Sequence, residues 1–207
     1  MTVQSASTTY RVVKRALDIL VSSLALLALA PVFAIIALCI FAQDPTAPVF
    51  FQQRRCGKGG RTFGLFKFRT MVKNADQLKE QLRHLSTVPW PDFRLDNDPR
   101  VTRVGRFLRK TSLDELPQFA NVLLGHMTLV GPRPTSFKVD TYALWQTGRL
   151  DHRPGLTGPW QVDGRNTLDF DDRCRLEISF FRRPSIVREL WLLVRTVGVV
   201  VRRTGVA

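Results

Sequence analysis

Residues 19–42 read ILVSSLALLALAPVFAIIALCIFA, a run without a charged side chain and with Pro31 almost at its centre. The run exceeds the roughly 20 residues that a membrane helix needs. Pro31 opposes a straight helix, because it has no N–H to donate and disfavours helical geometry at Ala30. Two arms result, Ile19–Ala30 and Val32–Ala42, each about 16 to 18 Å long as helix against a hydrocarbon core of roughly 30 Å. Arg11, Lys14 and Arg15 precede the run, and Arg54, Arg55, Lys58 and Arg61 follow it. Basic flanks prefer the cytoplasmic side, so both ends call for the same side. A re-entrant hairpin meets both demands and is favoured over a kinked full span. A cleaved signal peptide is the third alternative, with Ala28-Leu29-Ala30 as its cleavage triplet. Asp18, Pro31 and the apolarity that continues beyond the triplet argue against cleavage.

The chain has 207 residues and a formal net charge of +14. Its length is enough to bury a core and suits one domain with an appendage. A positive surplus of that size calls for an anionic partner: nucleic acid, acidic lipid headgroups or a phosphorylated substrate. Cys39, Cys56 and Cys174 are odd in number, widely spaced and without a CxxC, which indicates neither a disulfide framework nor a zinc site. His84, His126 and His152 lack metal-ligand spacing and receive no role.

Met1–Thr9 reads as a poorly ordered polar tail. After the turn at 43–48, Val49–Gln53 and Phe63–Thr70 form two strands around the glycine-rich Cys56–Arg61, with Lys67 and Arg69 on the polar face. The same alternation of aromatics and bases would suit stacking on single-stranded nucleic acid. Met71–Leu85 has Leu78, Leu82 and Leu85 at helical spacing. It ends at Pro89-Trp90-Pro91, where Trp90 is either a membrane-interface anchor or a core residue. Asp96-Asn97-Asp98-Pro99 reads as a turn that caps the next helix, not as a calcium loop.

In that next helix Arg100, Arg103, Arg106 and Arg109 recur every third residue, leaving Val101, Val104, Phe107 and Leu108 to pack. TSLDELPQ, residues 111–118, then sets Asp114 and Glu115 side by side. Ser112–Glu115 fits a capping box, whereas Pro117 favours a helix capped by Asp114. In either register the acids would lie at a helix N-terminus, where free N–H groups and the dipole favour anions. Two acids that meet an anionic substrate need cations nearby, and Arg109 is the closest in sequence. Arg133, held between Pro132 and Pro134, is pre-organised for bidentate phosphate binding. Residues 153–159 and 164–166 read as tight turns. Residues 185–203 read as a helix with Arg188, Arg195 and Arg202 on one face and Leu190, Leu193, Val194, Val197 and Val201 opposite, interfacial or core.

Five strings, KRALDIL (14–20), FFQQRRCGKGGRTFGLFKFRTM (50–71), RVTRVGRFLRKTSLDELPQFANVLLG (100–125), LVGPRP (129–134) and RPGLTGPWQVDGRN (153–166), carry a resemblance that covers nearly all of Tyr10 to Val201. The chain resembles the bacterial sugar transferases that are monotopic polyprenyl-phosphate phosphoglycosyl transferases, in a short form without a multi-helix domain in front. The resemblance implies a mainly α chain with a small β-hairpin (α+β), monotopic through a broken re-entrant helix and interfacial amphipathic helices. Residues 1–44 would form the tail and membrane hairpin, and 45–207 the cytoplasmic catalytic domain. The implied reaction moves a sugar 1-phosphate from a UDP-sugar to polyprenyl (undecaprenyl) phosphate at the cytoplasmic face of the bacterial inner membrane, releasing UMP, as the first membrane step of glycoconjugate or exopolysaccharide synthesis. By the family's pattern Asp114 is the nucleophile, Glu115 holds Mg2+, and Lys67, Arg109 and Arg133 bind phosphate. Membrane lipids are the other implied partner, no nucleic acid is expected, and homo-oligomer formation stays open. His126 stands where the family usually has an acid, Ala30 precedes Pro31 where short members often have serine, and Glu177 and Glu189 replace aspartates. Two other readings compete: a membrane-tethered nucleic-acid binder and a non-catalytic lipid-binding or scaffold protein.

Overall fold

The computed structural model describes residues 7–87, 95, 97–163 and 168–202; Trp90, Asp96 and the turn at 164–166 lie outside them. Helices dominate, joined by an antiparallel β-hairpin and a second, parallel strand pair.

Helix α1 (Thr8–Ala28) starts at Ser7, whose Oγ accepts from Tyr10 N at 3.1 Å. Thr8 and Thr9 are therefore helical rather than part of a tail, because a serine N-cap satisfies one of the free N–H groups of the first turn. At the other end Leu29 N still bonds Ala25 O at 2.9 Å, and the next ladder bond resumes at Phe33 N to Leu29 O. Pro31 falls in the first turn of α2 (Ala30–Gln43), where a missing N–H costs nothing. The two helices meet at a bend of 58°. Among the described residues no single helix is long and apolar enough to cross a membrane, but this bent pair meets that test together.

Four side chains, Tyr10, Lys14, Arg15 and Asp18, tie α1 to the rest of the chain. Arg15 donates to Val122 O and Leu123 O, both at 2.8 Å, while Lys14 Nζ donates to Val130 O at 3.0 Å. Asp18, only 2% exposed, accepts from Leu129 N at 2.9 Å and Thr128 Oγ1 at 3.0 Å. A carboxylate within an otherwise apolar segment is thus accounted for by polar groups of the body that it satisfies. Glu189 accepts from Tyr10 and from Lys14.

Strands β1 (Phe50–Cys56) and β2 (Thr62–Phe68) form the expected hairpin and pair from Phe50↔Phe68 to Cys56↔Thr62; β1 runs three residues beyond the expected Gln53, and β2 stops at Phe68, which leaves Arg69 outside the strand. Phe68 packs with Ile36, Ile40 and Leu108, which seats the hairpin against α2. Helix α3 is only Ala75–Gln81, shorter than the expected Met71–Leu85, because Met71 pairs with Val101 and Arg83–Leu85 tighten into a 3-10 turn. Helix α4 (Arg103–Thr111) starts later than the arginine repeat suggested and is capped by Thr102, whose Oγ1 accepts from Gly105 N at 2.9 Å. Asp98 instead binds Arg100, through its backbone N–H and a guanidinium fork with Nη2 at 2.6 Å. Gly105 is needed for contact, since a Cβ there would lie 2.0 Å from Thr70 O. Its face, with Leu108, turns inward and leaves Phe107 60% exposed rather than packed as expected.

Helix α5 (Gln118–Leu123) leads into β3 (Thr128–Val130), which runs parallel to β4 (Gly155–Thr157). The stretch at 153–159 is therefore partly strand; three residues are too few to show a period. Helices α6 (Pro159–Asp163), α7 (Phe170–Phe181) and α8 (Ile186–Arg202) complete the chain. Leu65, Val122, Met127, Leu129, Val130, Phe181 and Leu192 form the main core. On α8, Leu192 is buried, whereas Val187, Leu190, Trp191, Val194 and Val197 are exposed.

Candidate active site

Helix α4 ends because Ser112 turns left-handed (φ 57°). Leu113–Glu115 then form one 3-10 turn, with Glu115 N on Ser112 O and Leu116 N on Leu113 O, each at 3.3 Å. Neither expected capping register forms: no side-chain cap is made at Ser112, and α5 starts only after Pro117. The acids lie between two helices rather than on the N-terminus of one, because the proline without an N–H sits just ahead of the first helical residue. The sharp reversal turns both carboxyls toward β2 and the loop after β3.

There the chain brings cations to them. Lys67 Nζ on β2 lies 2.9 Å from Glu115 Oε1 and 3.6 Å from Asp114 Oδ2. Arg133 Nη2, from the turn after β3, reaches the same Glu115 Oε1 at 2.9 Å. Arg109 is held differently: its Nε donates to Thr70 Oγ1 at 3.0 Å, and its charge favours ionisation of Asp114. Of the sequence-predicted residues, Lys67 and Arg133 thus meet the acid pair directly, and Arg109 acts on Asp114 through its field.

The two acids are unequal. Burial pushes the Asp114 carboxyl up, against the Lys67 charge, and the neighbouring Glu115 adds to the rise. Burial also opposes charge on Glu115, but Arg133 and Lys67 outweigh it and hold that carboxyl well below the usual range. Glu115 is a fixed, clamped anion. Asp114 is a buried and more basic carboxylate.

Both ion pairs of Glu115 converge on Oε1, and Asp114 places a second carboxylate beside it. Magnesium binds through one or two carboxylates and completes its shell with water and substrate phosphates. This hard-oxygen pair fits that habit. Among the described residues no group of three His, Cys, Asp or Glu side chains offers a metal cage.

Asn121 was not singled out from the sequence, yet it sets the site's geometry. Fully buried on α5, it donates to Gly64 O at 2.7 Å and accepts from Phe66 N at 2.8 Å. That ties the helix after the acid turn to the strand that carries Lys67. A lone amide among the apolar residues of FANVLL was the available signal. Thr70, which holds Arg109, gave none.

The profile of the bacterial sugar transferase family matches residues 9–203. The chain belongs to this family. The chain is 41% identical over 200 residues to an undecaprenyl-phosphate galactose phosphotransferase of Salmonella typhimurium, covering 94% of this chain and 42% of that one. It is 38% identical over 197 residues to the UDP-glucose:undecaprenyl-phosphate glucose-1-phosphate transferase of Escherichia coli, covering 90% of this chain and 40% of that one. With the exopolysaccharide production protein ExoY of Rhizobium meliloti it shares 37% identity over 197 residues, covering 93% of this chain and 87% of that one. The chain spans less than half the length of several curated relatives it matches. In this chain KRALDIL is the part of α1 that docks on the body, and LVGPRP leads from β3 to Arg133.

Proposed function

We propose that the transferase moves a sugar 1-phosphate from a UDP-sugar to a polyprenyl phosphate through a covalent intermediate on Asp114. The observation that carries this reading is the division of the acid pair: Glu115 is clamped by Lys67 and Arg133, each at 2.9 Å, while Asp114 is buried beside it. The names of the relatives supply the donor and acceptor classes.

In the first step an Asp114 carboxylate oxygen attacks the sugar-bearing phosphorus. The bond from that phosphorus to the bridging oxygen breaks, and UMP leaves with that oxygen. In the second step a polyprenyl phosphate oxygen attacks the same phosphorus, the acyl-phosphate bond breaks, and the Asp114 carboxylate is restored. Lys67 and Arg133 orient the diphosphate and offset its charge, and Lys67 and, more weakly, Arg109 favour the ionised form of Asp114 against burial. Magnesium, held by Glu115 with Asp114 adjacent, would neutralise diphosphate charge and ease departure of UMP.

Residues 1–44 supply the membrane element in this reading, and 45–207 the catalytic body at the cytoplasmic face of the bacterial inner membrane. The bend between α1 and α2 supports a re-entrant hairpin. Leu24, Leu27, Ile35, Leu38 and Phe41 on that pair, and Trp191, Val194 and Val197 on α8, are exposed apolar residues suited to lipid. Arg188 lies 4.3 Å over Phe180 and Arg195 4.5 Å over Trp191, an arrangement suited to the headgroup zone.

The test uses the full chain in detergent with magnesium and a panel of UDP-sugars. The reading expects about one UMP per enzyme without acceptor, and continued release once polyprenyl phosphate is added. Undiminished turnover by Asp114→Asn removes Asp114 from the nucleophile's place.

A further inference from the structure

Pro132-Arg133-Pro134 has a single N–H, that of Arg133, because neither proline has one. That N–H donates to Glu177 Oε1 at 2.8 Å, and the Arg133 carbonyl accepts from Arg149 Nη2 at 2.8 Å. Arg149 and Glu177 also bind each other: Arg149 Nε donates to Glu177 Oε2 at 2.8 Å, and Arg149 Nη2 lies 2.6 Å from the same oxygen. Trp160 Nε1 adds a bond to Glu177 Oε1 at 2.9 Å. Glu177 is fully buried and Arg149 only 4% exposed. Both polar groups of one residue's backbone therefore end on one buried ion pair.

A pair like this is a poor choice if stability alone is at stake, since well-packed apolar side chains often match or exceed a buried ion pair. What it offers is geometry. Glu177 comes from α7 and Arg149 from the 3-10 segment Leu144–Asp151, while the guanidinium they aim belongs to the turn after β3. The side chain of Arg133 then spans from this fixed backbone to Glu115 Oε1.

We infer that Glu177 and Arg149 are positioning residues for the reaction: they hold the Arg133 backbone so that its guanidinium meets the acid pair and the substrate phosphate. This rests on the transferase reading for its effect on rate, but not for its effect on the Arg133 backbone. Glu177→Gln keeps the shape and the oxygen that accepts from Arg133 and Trp160, and it removes the charge that holds Arg149.

The experiment has two arms on the full chain in detergent. In the first, UMP release is measured for Glu177→Gln, for Arg133→Ala and for the double variant. The expected result is a loss of about 10- to 100-fold from Glu177→Gln alone, the range seen when an outer partner orienting a functional group is removed. In the Arg133→Ala background the same change should cost less than about threefold, since coupled residues are not additive. Losses that multiply would overturn the inference. In the second arm, hydrogen exchange is followed on a peptide covering residues 131–135. Glu177→Asp, which draws back the carboxylate that accepts from the Arg133 N–H, should raise uptake there while α7 and β3 keep their protection; unchanged uptake at 131–135 would also overturn it. If Glu177→Gln does not fold, Glu177→Asp takes its place, one methylene too short to reach both partners. Absence of UMP release from the unmodified chain would sink the transferase reading, and the exchange arm would still decide the positioning.

Discussion

Lys67 and Glu115 are 48 residues apart in sequence, yet Lys67 Nζ lies 2.9 Å from Glu115 Oε1 and 3.6 Å from Asp114 Oδ2. One ammonium thus serves both carboxylates, and in the proposed reaction it would meet the diphosphate that approaches them. Lys67→Met keeps most of the length of the side chain and removes the charge. UMP release should fall by about 100-fold or more, the scale for losing one preorganised donor at a developing charge. Lys67 is outside the phosphate site if turnover stays within threefold of the unmodified chain while the melting curve is unchanged.

Asn121 holds the partner surface of that contact. Asn121→Leu preserves approximate volume but leaves Gly64 O and Phe66 N without their partners at 2.7 and 2.8 Å. Each buried polar group stranded in this way costs about 1–3 kcal/mol. A total loss of about 2–6 kcal/mol is expected, or roughly 4–24 °C in melting temperature for a chain of this size. A melting temperature within 2 °C of the unmodified chain would mean that β2 and α5 are held together by packing alone.

The parts legible in the sequence were those governed by local chemistry. Pro31 marked the helix break within two residues, and the glycines between Cys56 and Arg61 marked the hairpin with its strands in the right order. The capping motif at Ser112 misled, because a cap presumes an extended backbone there, whereas Ser112 is left-handed. Phe107 misled because an apolar residue on a helix suggests packing, while Gly105 and Leu108 define the buried face. The β3–β4 pair joins three-residue strands far apart in the chain, too short for any period to show. At the site, local reasoning reached the acids, Arg109 and Arg133; family resemblance was needed to nominate Lys67, since a lysine on a half-buried strand ordinarily faces solvent.

Asp98 and Arg100 give the fold an acid-sensitive element. The fork from Arg100 holds the Asp98 carboxyl below its ordinary value of 3.8, against burial. Both side chains are at least nine-tenths buried. A carboxyl lowered by folding contributes stability that is fully present above the unfolded-state pKa and is lost as pH falls through the folded-state pKa. The unmodified chain should therefore be more stable than Asp98→Asn at pH 7, and the gap should close as pH falls below about 4. Melting temperatures of both proteins across pH 3 to 7 check this. A gap that is constant over that range would assign the difference to lost packing or hydrogen bonding, not to charge.

The 58° bend between α1 and α2 makes a prediction about topology that needs no substrate. If the pair is re-entrant, both of its ends face the same side, and if it is a kinked span they face opposite sides. Thr9, in the first turn of α1, and Pro48, beyond the end of α2, mark the two ends of the pair and are exposed. The native cysteines leave the experiment readable: Cys56 and Cys174 are buried, and the exposed Cys39 can be replaced by serine. In that background Thr9→Cys and Pro48→Cys should each react with a membrane-impermeant maleimide in inverted vesicles, and neither should react in right-side-out ones. Reaction of the two positions from opposite sides would rule out the hairpin. Pro31→Leu restores an N–H at the break and relieves the restriction on Ala30. It should straighten the pair enough for a fraction of Pro48→Cys to label from the far side, because the joined arms then approach the roughly 30 Å of a hydrocarbon core.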